Sequence, residues 1–202
     1  MARLFTIGYS GHDIGSFVSL LNENAVDVVC DVRSTPFSAY KPDFSRGPLR
    51  THLNAAYVKY LFLGDELGAR PADRNCYVDG QATYDRIAET SAFRDGLDRV
   101  RKGSATLNLA LVCSEADPIE CHRAILICRH LDDIRDRIVH LHGDRRLEDQ
   151  AAFDRRLVEL QGLTPAPLLQ QPGDWECAVA EAYRKRGDAV AYRERGWPGD
   201  ER

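Results

Sequence analysis

Five side chains able to do chemistry crowd into residues 113–123: Cys113, Glu115, Cys121, His122 and Arg123. They follow the apolar run TLNLALVC (106–113) and precede a second apolar run, AILIC. A thiol at a helix start is open to acidification and nucleophilic or transfer chemistry. A carboxylate at the mouth of a central strand suits acid–base work or nucleophilic attack. Arginine offers a planar fork for phosphate or carboxylate. Asp117, Pro118 and Glu120 have the spacing of an N-cap, an N1 proline and an N3 acid, which predicts a helix over 118–132 with Cys121, His122 and Arg123 in its first turns. Glu115 has no capping task and is assigned as a catalytic candidate, with Cys121 as the other. Cys121 also reads as a small core group, Cys113 as core packing at a strand end, and His122 as a surface or supporting residue.

Two further clusters sit where strands should end. RSTPFSAYKPDFSRGP follows VDVVCDV (26–32), with Asp31 and Arg33 at the strand end and Ser34 and Thr35 as hydroxyl donors. Its length and its Pro, Ser and Gly content predict a functional loop. If both loops face one crevice, Arg33 and Arg123 form an anion clamp, and Tyr9, Phe37, Tyr40 and Phe44 either cover a planar ligand or plug the core. The plain alternative is an Asp31–Arg33 ion pair that trims the loop. In the third cluster, TIGYSGHDIG, Tyr9, Ser10 and His12 are candidates to line the pocket. Its glycines, Gly8, Gly11 and Gly15, do not match the dinucleotide spacing G-x-G-x-x-G, and no Walker A loop is present.

The elements that must position these clusters alternate. Strands are expected at 3–9, 26–32, 58–64, 106–113 and 137–142, and helices at 13–24 (capped by Asp13), 49–57, 84–102, 118–132 and 147–161, with a turn-rich connection at 63–71. That alternation predicts an α/β, Rossmann-like three-layer domain with a mostly parallel sheet, whose sites lie beyond the carboxyl ends of the strands. The domain is assigned to residues 1–162. Residues 163–202 are expected to form a Pro-containing linker (163–174), a helix over 175–186 and a mobile polar end.

Composition narrows the classes. The chain has 202 residues, 44% hydrophobic and 29% charged, enough for a globular core. A net charge of −4 gives no general attraction to nucleic acid, which stays open as a partner only through a local basic rim. No apolar run approaches the ~20 residues of a membrane span, and the start of the chain reads as a strand and not a signal peptide, so a cytoplasmic location is expected. The six cysteines include no C-x-x-C pair, and in a reducing compartment they are thiols. No cofactor and no metal are assigned. Cys76, Cys113, Cys121 and His122 could ligate zinc only if folding converged them, and Cys121 and His122 adjacent on a helix point about 100° apart.

Several motifs in fixed order resemble the DUF488 family, small bacterial and archaeal proteins of unknown function. They are Thr6-Ile7-Gly8-Tyr9-Ser10; Asp31-Val32-Arg33 with Pro36, Ser38, Pro42 and Phe44; Leu63-Gly64 through Leu67-Gly68; and Cys113-x-Glu115 with Cys121-His122-Arg123. The resemblance spans about residues 3–145 and departs at Asp65-Glu66-Leu67-Gly68-Ala69, where the family often has more glycine. It implies a Rossmann-like domain and supplies no activity, substrate or cofactor. Three functions fit the residues. The first is an enzyme acting on a phosphate-bearing small molecule, a nucleotide or modified nucleobase, with N-glycosidic hydrolysis or transfer as one reaction. The second is a cysteine-dependent sulfur-transfer or covalent thiol enzyme. The third is a non-catalytic module that binds a nucleotide or nucleic acid. The oligomeric state is left open.

Overall fold

The computed structural model describes residues 2–164 and 171–194. In chain order the elements are β1 (Leu4–Gly8), α1 (Ile14–Glu23), β2 (Val28–Asp31), α2 (Arg46–Ala55), β3 (Lys59–Phe62) and the short α3 (Gly64–Leu67), then the two-residue strands β4 (Tyr77–Val78) and β5 (Gln81–Ala82). They continue with α4 (Tyr84–Ala88), α5 (Ser91–Ser104), β6 (Leu109–Cys113), β7 (Ile138–Leu141), β8 (Leu147–Asp149), α6 (Gln150–Leu160) and α7 (Asp174–Val190).

Six strands form one sheet in the order β3-β2-β6-β1-β7-β8. The first five are parallel to one another, and only β8 runs antiparallel, against β7. All five residues of β1 and of β6 are buried, as expected of strands covered on both faces. Alternation along the strands divides the apolar side chains between two layers. Leu4, Leu109, Leu111 and Cys113 pack with α5, α6, α7 and the segment 124–128. Phe5, Ile7, Ala110 and Val112 pack with α1 and α2. The protein is therefore a three-layer α/β fold, and β6 and β1, at the middle of the sheet, both deliver their carboxyl ends to one edge.

Several sequence expectations need correction. The helix expected over 84–102 is two helices, broken where Thr90 caps α5 by accepting from the Phe93 amide. The helix expected over 147–161 begins only at Gln150, because 147–149 pair with β7 as an edge strand. The connection at 63–71 contains the one-turn α3. The helix expected over 118–132 is interrupted. Asp117 caps as expected, accepting from the Ile119 amide, but the turn it starts ends at Glu120. Cys121 is extended (φ −136°, ψ 137°), and a π-helical turn, Arg123–Ile127, follows.

The C-terminal helix is longer than expected and docked. Ala182 and Tyr183 are buried in the main core. The Tyr183 hydroxyl donates to Asp154 at 2.9 Å and accepts from Gln150 Nε2 at 2.8 Å. Beyond α7 the chain pairs with the β4–β5 hairpin: the Ala82 amide donates to Tyr192 O, and the Glu194 amide donates to Gly80 O. Part of the expected linker, 165–170, and the polar end from 195 lie outside the described residues. No helix among the described residues is long and apolar enough to cross a membrane.

Candidate functional site

A cavity of about 410 Å³ opens beyond the carboxyl ends of β2 and β6. Its volume falls in the range of small-molecule sites. Cys113, Ser114, Glu115 and His122 line it from the β6 side, and Arg33, Ser34, Thr35 and Phe37 from the loop after β2. Ala69, Arg70, Tyr84 and Glu120 complete the wall together with Val190 and Tyr192.

Arg33 is built in from below. Its Nε donates to Asp31 Oδ1 at 2.8 Å, and one Nη donates to Asp31 Oδ2 at 2.6 Å. The Tyr60 hydroxyl also donates to Asp31 Oδ2, at 2.7 Å. Asp31 is fully buried and Arg33 is 4% exposed. Burial lowers the Arg33 pKa, but the bidentate Asp31 carboxylate outweighs it and holds the guanidinium above its ordinary value. The other Nη is buried with no hydrogen bond. Asp31–Arg33 is thus an ion pair that positions an arginine in the cavity wall, with donor capacity to spare.

The opposite wall owes its shape to the break at Cys121. With its backbone extended, Cys121 turns its sulfur back toward the end of β6, and Glu115 Oε2 accepts from both the Cys121 and the Cys113 thiols at 3.1 Å. His122 Nδ1 stands 3.7 Å from Cys113 Sγ and 3.8 Å from Cys121 Sγ. Its Nε2 lies 3.0 Å from the carbonyl of Val32, which only accepts, so Nε2 carries the proton and Nδ1 faces the sulfurs. The inference that Cys121 and His122 must diverge fails here, because it assumed both were helical.

These groups share their protons unequally. Burial pushes the Cys121 thiol up, but the Cys113 hydrogen bond, the positive charge of Arg123 and the contact with His122 together hold it well below its ordinary value. The contact with Cys121 and burial raise Cys113. Loss of water around its carboxylate, then the charge of Cys121, raises Glu115. Burial lowers His122, but Cys121 outweighs that and raises it. Cys121 is 1% exposed and does not line the cavity, whereas Cys113 does. That placement works against direct attack by Cys121 on a ligand in the cavity.

Other expected site residues fall elsewhere. Arg123 is completely buried and donates to the carbonyls of Glu115 (2.7 Å) and Ala116 (3.1 Å). It shapes the loop that presents Glu115, and the Arg33–Arg123 clamp is not formed. Tyr9 stacks on Phe44 at 4.6 Å in the α1–α2 layer. Ser10 is exposed, and its carbonyl accepts from Lys41 Nζ. His12 is buried against Phe17, and burial, then the Lys41 charge, lowers its pKa. None of the three lines the cavity, Phe44 is core, and Tyr40 is fully exposed. Of the expected aromatics only Phe37 reaches the wall.

Arg70, Tyr84, Val190 and Tyr192 were not legible as site residues. Tyr192 arrives through the pairing of residues 192–194 with the hairpin, and the Arg70 guanidinium lies 4.3 Å from the Tyr192 ring centre. The Arg70 amide donates to Ser34 Oγ at 3.0 Å, which ties that segment to the loop after β2. Glu120, read as a helix-start acid, lines the cavity and pairs with Arg186 of α7.

No curated protein matches the chain. A solved structure from Shewanella putrefaciens, described as a "Putative phosphatase (DUF442)", aligns over 93% of this chain and 90% of its own, at 15% identity and a TM-score of 0.36. The model of "Domain of unknown function DUF488" matches residues 13–129, which include both walls of the cavity from Arg33 to His122. That match takes in more than half of the sequence and the whole Cys–Glu–Cys–His cluster, and the chain belongs to the DUF488 family.

Proposed function

We propose that the protein is an enzyme that binds a small phosphate-bearing molecule of nucleotide size in the cavity between the β2 and β6 loops and catalyses a hydrolytic or group-transfer reaction there. The observation that carries this reading is Arg33. It is a buried, permanently charged guanidinium, oriented by Asp31 and Tyr60, with one Nη unpaired, and Arg33 lines the same cavity as Glu115. A buried donor without a partner costs free energy unless a ligand satisfies it. A phosphate or carboxylate oxygen is the partner an arginine fork fits best.

Arg70, Ser34 and Thr35 add a second cation and two hydroxyls to the same side. Phe37, Tyr84 and Tyr192 supply aromatic surface for a planar group. Across from them, Glu115 is anchored through the sulfurs, and the role assigned to its carboxylate is proton exchange with a bound ligand or water.

The test compares nucleotides, sugar phosphates and their dephosphorylated counterparts by thermal shift, followed by product analysis of any stabilising compound. Stabilisation by a phosphorylated class only, with turnover lost and binding kept in Glu115→Gln, supports the reading. No preference for the phosphorylated form overturns it. Tight binding with no product on long incubation leaves a binding module.

A further inference from the structure

We propose that Cys113, Cys121 and His122 form a site for one soft divalent cation of the zinc type, with its fourth coordination position open to the cavity beside Glu115. The three donor atoms lie within 4.8 Å of one another, and all three residues are buried. Tetrahedral zinc, with bonds of about 2.3 Å to sulfur and 2.0–2.1 Å to nitrogen, sets sulfur and nitrogen about 3.6 Å apart. The observed 3.7 and 3.8 Å from His122 Nδ1 to the two sulfurs are close to that separation.

His122 supplies an independent observation. Its Nε2–H is committed to the Val32 carbonyl, which leaves Nδ1 as the atom turned toward both sulfurs. A backbone carbonyl that fixes tautomer and ring orientation is the usual support of a metal-ligating histidine. Two thiolates and an imidazole suit zinc better than magnesium or calcium, which prefer oxygen. Three protein ligands with a fourth position facing a cavity is the pattern of catalytic zinc, in contrast to the closed four-ligand structural site. Cys113 and His122 both line the cavity, so an ion has a route in.

Binding converts each thiol to a metal thiolate, and the displaced protons pass to solvent. Glu115 would then have no thiol hydrogens to accept, and its carboxylate, 3.1 Å from both sulfurs, would be the base beside the ion. That last role rests on the proposed enzymatic reading, while the metal site itself does not.

The experiment is a titration of reduced, chelator-treated full-length protein with Co²⁺, followed by Zn²⁺. The expected result is one cobalt ion per chain, with tetrahedral visible bands and a thiolate-to-cobalt charge-transfer band, displaced by one equivalent of zinc. Cys113→Ser, Cys121→Ser and His122→Gln each weaken binding by more than about 100-fold, beyond the 10- to 100-fold typical of losing a supporting residue. Cys177→Ser leaves binding unchanged. Because substitutions at buried positions can prevent folding, the wild-type protein is also alkylated with and without Zn²⁺, and zinc must protect Cys113 and Cys121 on peptide mapping. Absence of the charge-transfer band, or protection confined to other cysteines, overturns the site. Cobalt binding in a protein that turns over no phosphorylated compound sinks the enzymatic reading and leaves the metal site standing. Phosphate-dependent ligand binding with no cobalt signal does the reverse.

Discussion

Gly8 at the end of β1 lies so close to Glu115 that a Cβ at position 8 would come within 1.7 Å of the Glu115 carbonyl oxygen. The neighbouring Ser10 amide donates to the Ser114 carbonyl at 3.0 Å, so backbone contacts hold the end of β1 and the loop after β6 against each other. Gly8→Ala must push that loop outward. Overpacking of this kind costs about 1–3 kcal/mol, and the displaced segment carries Glu115. We expect a lower denaturation midpoint together with loss of ligand-induced stabilisation. A Gly8→Ala protein with wild-type stability would show that the close approach is not enforced.

The Asp31–Arg33 pair makes a prediction that separates positioning from stability. Removing one partner of a buried ion pair leaves an uncompensated charge, at a cost of about 3–5 kcal/mol. Arg33→Met should therefore unfold at much lower denaturant than the double change Asp31→Asn with Arg33→Met. Both should lose any phosphate-dependent thermal shift. Equal stability of the single and double variants would argue that Asp31 is not charged in the fold.

Arg123 should behave as a structural residue. Its guanidinium donates to two loop carbonyls from a fully buried position, with Nε unpaired. Arg123→Lys keeps the charge but cannot reach both carbonyls with one ammonium. We expect a stability loss of roughly 2 kcal/mol with ligand affinity reduced only through the Glu115 loop. If Arg123→Lys leaves stability intact while abolishing phosphate binding, the guanidinium acts on the ligand directly.

Acid should destabilise the protein in two overlapping windows. His140 is buried, bonded through Nδ1 to Thr6 Oγ1 at 2.8 Å, and burial, then the Arg123 charge, lowers its pKa from 6.5 to about 3. The unfolded chain takes up that proton first, so the stability contributed by neutral His140 is complete above 6.5 and is lost as pH falls toward 3. Glu148 resists burial through His142 and Arg156 and is held down from 4.5 to about 2, so its contribution is lost between those values. Between pH 6 and 5 the slope of unfolding free energy should approach about 1.4 kcal/mol per pH unit from His140 alone. His140→Gln should flatten that segment and leave the lower one. An unchanged slope in His140→Gln would refute the assignment.

Docking of α7 should be measurable at Tyr183. Its hydroxyl joins Asp154 and Gln150 of α6 beneath the main core. Tyr183→Phe leaves Asp154 short of a donor and should cost roughly 1–2 kcal/mol. Proteolysis between α6 and α7 should accelerate in the same variant. Unaltered stability would mean that α7 contributes through its apolar face alone.

The main features of the fold and the identity of both cavity walls follow from the order of residues along the chain. The run of buried residues in β6 announces a central strand, Asp13 announces the cap of α1, and Arg33, Ser34 and Glu115 stand where parallel strands must end. These features are local, and hydrophobic period and capping chemistry act over a few residues. What neighbours in sequence do not determine is which atoms converge. The start signal at Asp117 and Pro118 is genuine, but the helix yields after one turn, and the extended backbone at Cys121 brings sulfur, sulfur and imidazole together. Arg123 looked equivalent to Arg33, yet the fold spends it on backbone carbonyls and leaves Arg33 with a free donor. Tyr192 reaches the cavity only because residues 192–194 pair with a hairpin more than a hundred residues earlier. Long-range pairing and competition for hydrogen-bond partners decide such placements, and both are settled only when the whole core is assembled.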